Sequence, residues 1–357
     1  MDKDLTKENE LSSADFIRLA NNFYTNLNYP ADFNRINIDS QLCNYIAQNR
    51  DLTKKKYKVA LTFICLNPLY WEFAKRMVEG ARNFFLPGHQ TDFLFWTDIP
   101  EKPEEVGQKV VSAFAERGVD INEPSNQRNL QNLINGVVDL RSQKDIHIFP
   151  TEPIEWPFPT LLRYNLFLQQ EEKLKGYDYI FYIDIDMCFV NVVGDEIFGE
   201  DLTSAQHPMY ALRQNYWPPY EPNKDSESYI HRPGKVITQD GKPRFMPLYY
   251  AGGFQGGKSD VWIKAMKSMR MMIDKDLSKN YIPIWNDETA WNKYLSLNPP
   301  SVVLTPAYIY PDSLIKEYYE PIWGCAYVPK LVTITKWFSL TKEGGTVAQQ
   351  MINGVKT

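Results

Sequence analysis

The chain has 357 residues, about two domain-equivalents at roughly 150 residues each. Hydrophobic residues make up 43% and charged residues 23%, enough core material to exclude general disorder. Lys plus Arg number 39 against 44 Asp plus Glu, a formal net charge of -5, which argues against a protein that wraps nucleic acid.

Residues 1–56 read as a helical N-terminal extension. Phe16, Leu19, Ala20 and Phe23 recur at helical spacing, Ser13 is a candidate N-cap, and Lys54-Lys55-Lys56 closes the segment. The opening MDKDLTKENELSS is polar and acidic, unlike a signal peptide. The longest apolar run near it, Val59 to Leu66, is eight residues, far short of the roughly 20 of a membrane-spanning helix. Cys43, Cys65, Cys188 and Cys325 form no CxxC pair, so reduced thiols are expected rather than a disulfide scaffold or structural zinc. These features predict a cytoplasmic protein, at most peripheral to a membrane.

From Tyr57 the pattern changes. Val59–Ile64 is a buried-strand run bounded by Asn67-Pro68, a helix follows over Trp71–Phe84, and a second strand over Asp92–Thr97 comes after the Pro87-Gly88 turn. Strand, helix, strand predicts a parallel sheet of the nucleotide-binding kind. An amphipathic helix is expected over Val106–Arg117, then a polar Asn- and Gln-rich stretch and a strand at Ile146–Phe149. A helix is expected over Pro159–Leu174 and a strand over Tyr177–Ile183. Loop or weak hairpin is expected over Gln214–Lys242, and a Gly-rich turn at Ala251–Gly257 leads into a helix of about 20 residues. Trp285-Asn286-Asp287-Glu288 opens another helix, with Asn286 or Asp287 as its cap, and the tail beyond Val328 is basic. Aromatic residues reach 14%, suited to core filling and to covering sugar rings.

The strand before Asp184-Ile185-Asp186 carries the first chemical signal. Side chains alternate along a strand, so Asp184 and Asp186 are expected to face one way and Ile185 the other. Paired carboxylates at a strand's C-terminal end sit where open α/β sheets bind ligands, and oxygen ligands of this kind suit Mn2+ or Mg2+. By themselves the two acids are equally compatible with an exposed strand end, or with a metal-dependent phosphohydrolase or nucleotidyltransferase.

With its neighbours the segment resembles glycosyltransferase family six, the retaining α-1,3-galactosyl- and N-acetylgalactosaminyltransferases that include the histo-blood-group A and B enzymes. The match runs through Arg163, DYIFYIDIDMCF, VGDEIFG at 193–199 and His207-Pro208. It continues through Tyr229, Arg232-Pro233, YYAGGFQGGK at 249–258, WNDETAWNKYL at 285–295 and VVLTPAYIYPD at 302–312. ALTFICLNPLYWEF and FLPGH resemble the family's first strand and helix. The resemblance implies a GT-A type fold, a Rossmann-like mixed sheet flanked by helices, over residues 57–338, with a flexible tail at 339–357. It implies a UDP-sugar donor and Mn2+ (or Mg2+) held by Asp184 and Asp186, with Asp186 the direct ligand. It further implies that Glu288 is the catalytic carboxylate and that Tyr70, Arg163, Ala251, Gly252, Gly253, Asp287, Lys330 and Lys336 bind the donor. His207, Trp285, Ala251 and Asp312 would meet the acceptor, a glycan with terminal galactose, fucosylated as in the H antigen or part of a lipopolysaccharide. Small residues at Ala251-Gly252-Gly253 are expected to leave room for an acetamido group, favouring N-acetylgalactosamine over galactose. The sequence departs from the family at Asn286, where His is usual, at Pro311, which displaces the acid to Asp312, and over residues 101–150. A non-catalytic carbohydrate-binding protein of the same fold is the alternative.

Overall fold

The computed structural model describes residues 56–116, 118–211, 219–231, 235–237, 243–245, 249–312 and 329–334. The expected N-terminal extension, the tail over 339–357, Lys336, Cys43 and Cys325 lie outside the described residues.

The chain opens on β1 (Lys58–Cys65) and α1 (Pro68–Phe84), then β2 (Gln90–Thr97). Val59 to Phe63 are fully buried, as a strand covered on both faces requires, so apart from Thr62 the run is apolar rather than alternating. Helix α1 starts because Asn67 accepts from Leu69 N–H at 2.9 Å and Pro68 is preset for the first turn. Next come α2 (Pro103–Glu116), α3 (Pro124–Arg141) and β3 (Ile146–Pro150). The Asn- and Gln-rich stretch thus belongs to an 18-residue helix. Its buried Val137 and Leu140 lie on a sparse apolar stripe that packs against α1 and α2, too thin to stand out among the polar residues.

The helix expected over Pro159–Leu174 is instead three short ones, α4 (Phe158–Leu161), α5 (Arg163–Leu168) and α6 (Glu171–Leu174). The break at Leu162 turns the adjacent Arg163 and Tyr164 both into the interior, where they are 4% and 0% exposed. Strand β4 (Tyr179–Ile183) follows, then β5 (Met187–Phe189), β6 (Leu202–Gln206) and α7 (Pro208–Ala211). The expected hairpin is present as β7 (Lys235–Ile237) paired with β8 (Pro243–Phe245). The Gly-rich run is not a turn but a buried strand, β9 (Tyr250–Lys258), leading directly into the 20-residue α8 (Ser259–Ser278). Helix α9 (Asn286–Leu297), β10 (Val302–Leu304), β11 (Tyr310–Pro311) and β12 (Leu331–Thr333) complete the described part. Part of the basic tail is therefore a buried strand, with Leu331 and Val332 almost fully covered.

Seven strands form one sheet in the order β10-β6-β9-β4-β1-β2-β3, parallel except for β9. The chain runs outward from β1 through β2 and β3, then returns to place β4 on the other side of β1. That reversal opens a crevice beyond the C-terminal ends of β1 and β4. A small sheet, β11-β12-β5, stands beside it. Trp96, Trp262, Trp291, Tyr164 and Phe167 fill the core between the large sheet and α5, α8 and α9, so most of the aromatic excess is packing. No helix among the described residues is long and apolar enough to cross a membrane.

Candidate active site

The C-terminal edge of the large sheet gathers most of the expected residues. Asp184-Ile185-Asp186 is a turn between β4 and β5, not strand. Ile185 is nonetheless buried while Asp184 and Asp186 are both partly exposed, so the turn sends Ile185 into the core.

Asp184 is tightly seated. Tyr182 Oη donates to Asp184 Oδ1, and Asp184 N–H bonds Gly253 O at 3.0 Å. A Cβ added at Gly253 would stand 2.6 Å from Asp184 Oδ2 and 2.8 Å from Ile309 Cδ1. The space the glycine leaves is therefore filled by this chain's own side chains, not held open for a sugar substituent. The strand is irregular here: Ser204 pairs with Gln255 and Gln206 with Tyr250, so β9 bulges over Ala251–Phe254. Ala251 lies buried within that bulge.

Glu288 enters from the start of α9. Its Oε2 accepts the Gly252 N–H at 2.7 Å, and a Cβ at Gly252 would come within 3.0 Å of Glu288 Cβ. Asn292, one turn on, ties α9 to β9: its Oδ1 accepts Tyr250 N–H and its Nδ2 donates to Tyr250 O, both at 2.8 Å. The helix cap is neither Asn286 nor Asp287 but Trp285, whose N–H bonds Thr289 Oγ1 at 3.0 Å. Asn286 takes a left-handed φ of 52°, a conformation Asn tolerates better than most residues, and the tight entry delivers Asp287 inward.

Arg163 joins the two halves. Its Nη1 lies 2.9 Å from Asp287 Oδ2 and donates to Gly252 O at 3.2 Å; its Nη2 lies 3.6 Å from Asp184 Oδ1. The guanidinium sits 4.0 Å over the Tyr182 ring. Burial opposes its charge, but Asp287, Tyr182 and Asp184 more than offset this and hold the group protonated. Asp287 is pushed up to about 6, first by burial and then by the Asp184 charge, with Arg163 pulling it back. Glu288 is pushed up to about 7, again first by burial; the Gly252 N–H favours the carboxylate, while Asp287 and Asp184 disfavour it.

His207 directly follows β6 and is pushed down to about 4 by burial, so the ring is neutral near pH 7. Its Nδ1 accepts Met209 N–H at 3.2 Å, which leaves the proton on Nε2 as a hydrogen-bond donor. The ring packs with Tyr210 and Tyr249, and Tyr249 in turn lies beside Glu288.

The remaining expected residues divide. Tyr70 lies in the first turn of α1 at the mouth of β1, and Trp285, 36% exposed, lies next to Asp287. Lys330 is not brought to the site. Its backbone carbonyl accepts Val190 N–H at one end of β5, whereas Ile334 N–H reaches Asp186 O at the other, about 13 Å along at 3.3 Å per residue. Its ammonium is 2.6 Å from Glu196 and stands over the Tyr308 ring. Asp312 directly follows β11, outside its pairing with β12, and is partly exposed. Sequence reasoning missed Tyr182, Tyr249 and Gln255 as site residues. Gln255 is buried in β9, where it accepts from Tyr164 Oη at 2.8 Å and donates to Gly252 O at 2.9 Å. The available signal was a polar group inside an otherwise apolar strand.

The sequence profile of glycosyltransferase family 6 matches residues 137–319, just over half of the chain. The chain belongs to glycosyltransferase family 6. Its architecture is the GT-A-like mixed sheet flanked by helices. It is 30% identical over 169 residues to the O-antigen biosynthesis glycosyltransferase WbnI of Escherichia coli, covering 47% of this chain and 67% of that protein. It is 24% identical over 246 residues to human globoside alpha-1,3-N-acetylgalactosaminyltransferase 1, covering 68% of this chain and 58% of the human one. It is 25% identical over 275 residues to histo-blood group ABO system transferase 1 of Rattus norvegicus, covering 75% and 66%. The chain thus spans less than two thirds of the length of these two animal relatives.

The family also implies a divalent ion at the paired acids. Among the described residues no three His, Cys, Asp or Glu side chains are grouped to hold one. Two partly exposed carboxylates still fit Mg2+ or Mn2+, which keep several waters and take phosphate oxygens alongside one or two protein ligands. The missing Cβ of Gly253 is what lets Asp184 occupy its place. Gly253→Ala is therefore expected to push the Asp184 carboxylate from its seat and to lower the melting temperature, which thermal denaturation checks; an unchanged melting temperature would show that the site adapts.

Proposed function

We propose that this chain is a retaining α-1,3-glycosyltransferase that moves N-acetylgalactosamine, or galactose, from its UDP-sugar to a glycan ending in galactose. The observation that carries the reading is the seating of Glu288 on Gly252 N–H, with Arg163 linking its neighbour Asp287 to Asp184 across the crevice. A retaining transfer needs a carboxylate at the face of the anomeric carbon away from UDP, either to bond that carbon as the UDP–carbon bond breaks or to stabilise its positive charge. Glu288 takes that role. Asp287 and Ala251 contact donor hydroxyls, Arg163 keeps Asp287 ionised, and Tyr70 borders the nucleobase. His207 donates through Nε2 to an acceptor hydroxyl, and Trp285 offers the acceptor an exposed ring face. Asp184 and Asp186 are the residues that would hold Mn2+ or Mg2+, whose chemistry is to offset charge building on the departing diphosphate. Asp186 would be the direct ligand, as the family resemblance implies.

The names of the relatives support the choice of sugar and of product, a cell-surface glycan such as an O-antigen. The test is a screen of UDP-N-acetylgalactosamine and UDP-galactose against galactose-terminated oligosaccharides, with the product read by mass spectrometry. An α-linked N-acetylhexosamine product is expected, lost in EDTA and restored by Mn2+. Full transfer in EDTA would remove the metal, and a clear galactose preference would reverse the donor. Glycan binding without UDP binding or turnover would identify a carbohydrate-binding protein of the same fold.

A further inference from the structure

Tyr249 immediately precedes β9 and is 3% exposed. Its backbone carbonyl accepts His207 N–H at 2.9 Å, and its ring meets those of His207, Tyr210 and Tyr220 edge-on at 5.8, 5.1 and 5.5 Å. That packing needs a phenyl ring, not a phenol. The hydroxyl is buried with no hydrogen-bond partner of normal geometry among the described residues, although it lies beside the Glu288 carboxylate. Burying a hydroxyl without a partner is costly, so its position calls for an explanation. Glu288 shows the complementary gap: Gly252 N–H takes Oε2, and among the described residues no other hydrogen bond of normal geometry reaches its carboxylate.

We infer that Tyr249 is a positioning residue whose hydroxyl donates to the second oxygen of Glu288, so that Tyr249 and Gly252 together fix the plane of the carboxylate. The two donors come from one short stretch of chain, Tyr249 to Gly252. The bulge that aims Gly252 N–H at Glu288 begins at Tyr250, so a single backbone irregularity brings both groups to it. A carboxylate fixed at both oxygens needs no reorganisation when charge develops at the sugar carbon. The inference rests on the reading of Glu288 as the catalytic carboxylate.

The test is a double-mutant cycle of Tyr249→Phe and Glu288→Gln on the full chain, with kcat, donor KM and melting temperature measured for each. Phenylalanine keeps the ring and removes only the hydroxyl. Tyr249→Phe is expected to lower kcat about tenfold with donor KM and melting temperature unchanged, and to cost little more once Glu288 is glutamine. Turnover within twofold of wild type would overturn the inference, as would an equal loss on both backgrounds or a rise in donor KM at constant kcat. Should Glu288→Gln alone keep wild-type turnover, the catalytic reading and this inference fall together; every other failure removes the inference alone.

Discussion

Glu288→Gln is expected to lower turnover on the order of 10²- to 10³-fold while UDP binding stays within twofold of wild type. The amide keeps the shape of the side chain and an oxygen for Gly252 N–H, and removes the negative charge together with one acceptor oxygen. Because burial pushes Glu288 up to about 7, the wild-type kcat/KM should fall as pH drops through that value, the ionised form being the active one. The same shift fixes the sign of a stability effect. The folded-state value lies above the ordinary 4.5, so ionisation opposes folding: the associated stability is complete below about pH 4.5 and lost as pH rises through about 7. Glu288→Gln should therefore melt higher than wild type at pH 8, by no more than about 3 kcal/mol, and at nearly the same temperature at pH 4. Near-wild-type turnover, or no pH dependence of the melting difference, would remove Glu288 from this role.

Arg163→Ala is the second large effect. It leaves Asp287, 4% exposed, without its counter-charge at 2.9 Å and strips Asp184 of one of its side-chain partners. Breaking a buried pair from one side costs about 3–5 kcal/mol, of the order of 10 °C in melting temperature for a domain of this size. Turnover should fall with it. Since protonated Asp287 no longer needs a counter-charge, the loss of stability should be smaller at pH 5 than at pH 8. Arg163→Lys should recover part of the stability but little of the activity, because a point charge cannot reach Asp287, Gly252 O and Asp184 together. Wild-type melting and turnover in Arg163→Ala would show that the bridge is incidental.

How far this site was legible follows from the range of the forces that build it. Residues 59–64, 93–96 and 179–183 are strands because each run is almost wholly apolar and short, a local property. The length of α8 and the helix start at Asp287-Glu288 are local as well. The bridge is not: Arg163 reaches Gly252 over 89 positions, and Gly252 reaches Glu288 over 36. Nothing within a turn of Arg163 says that its helix breaks at Leu162 to send it inward, or that a Gly-rich run is a bulged central strand rather than a turn. Lys330 is the opposite case, a basic residue near a basic tail whose charge the fold assigns to Glu196.

By itself the sequence determined the type of most elements, the paired acids after β4 and the Asp-Glu pair that opens α9, because hydrophobic periodicity and side-chain chemistry act over a few residues. Only the tertiary structure decided that Asp184 fills the space Gly253 lacks, that Arg163 spans two carboxylates, and that Glu288 is raised toward neutral pH. Each of these depends on burial and on charges brought together from distant strands, quantities that exist only once the sheet has closed around them.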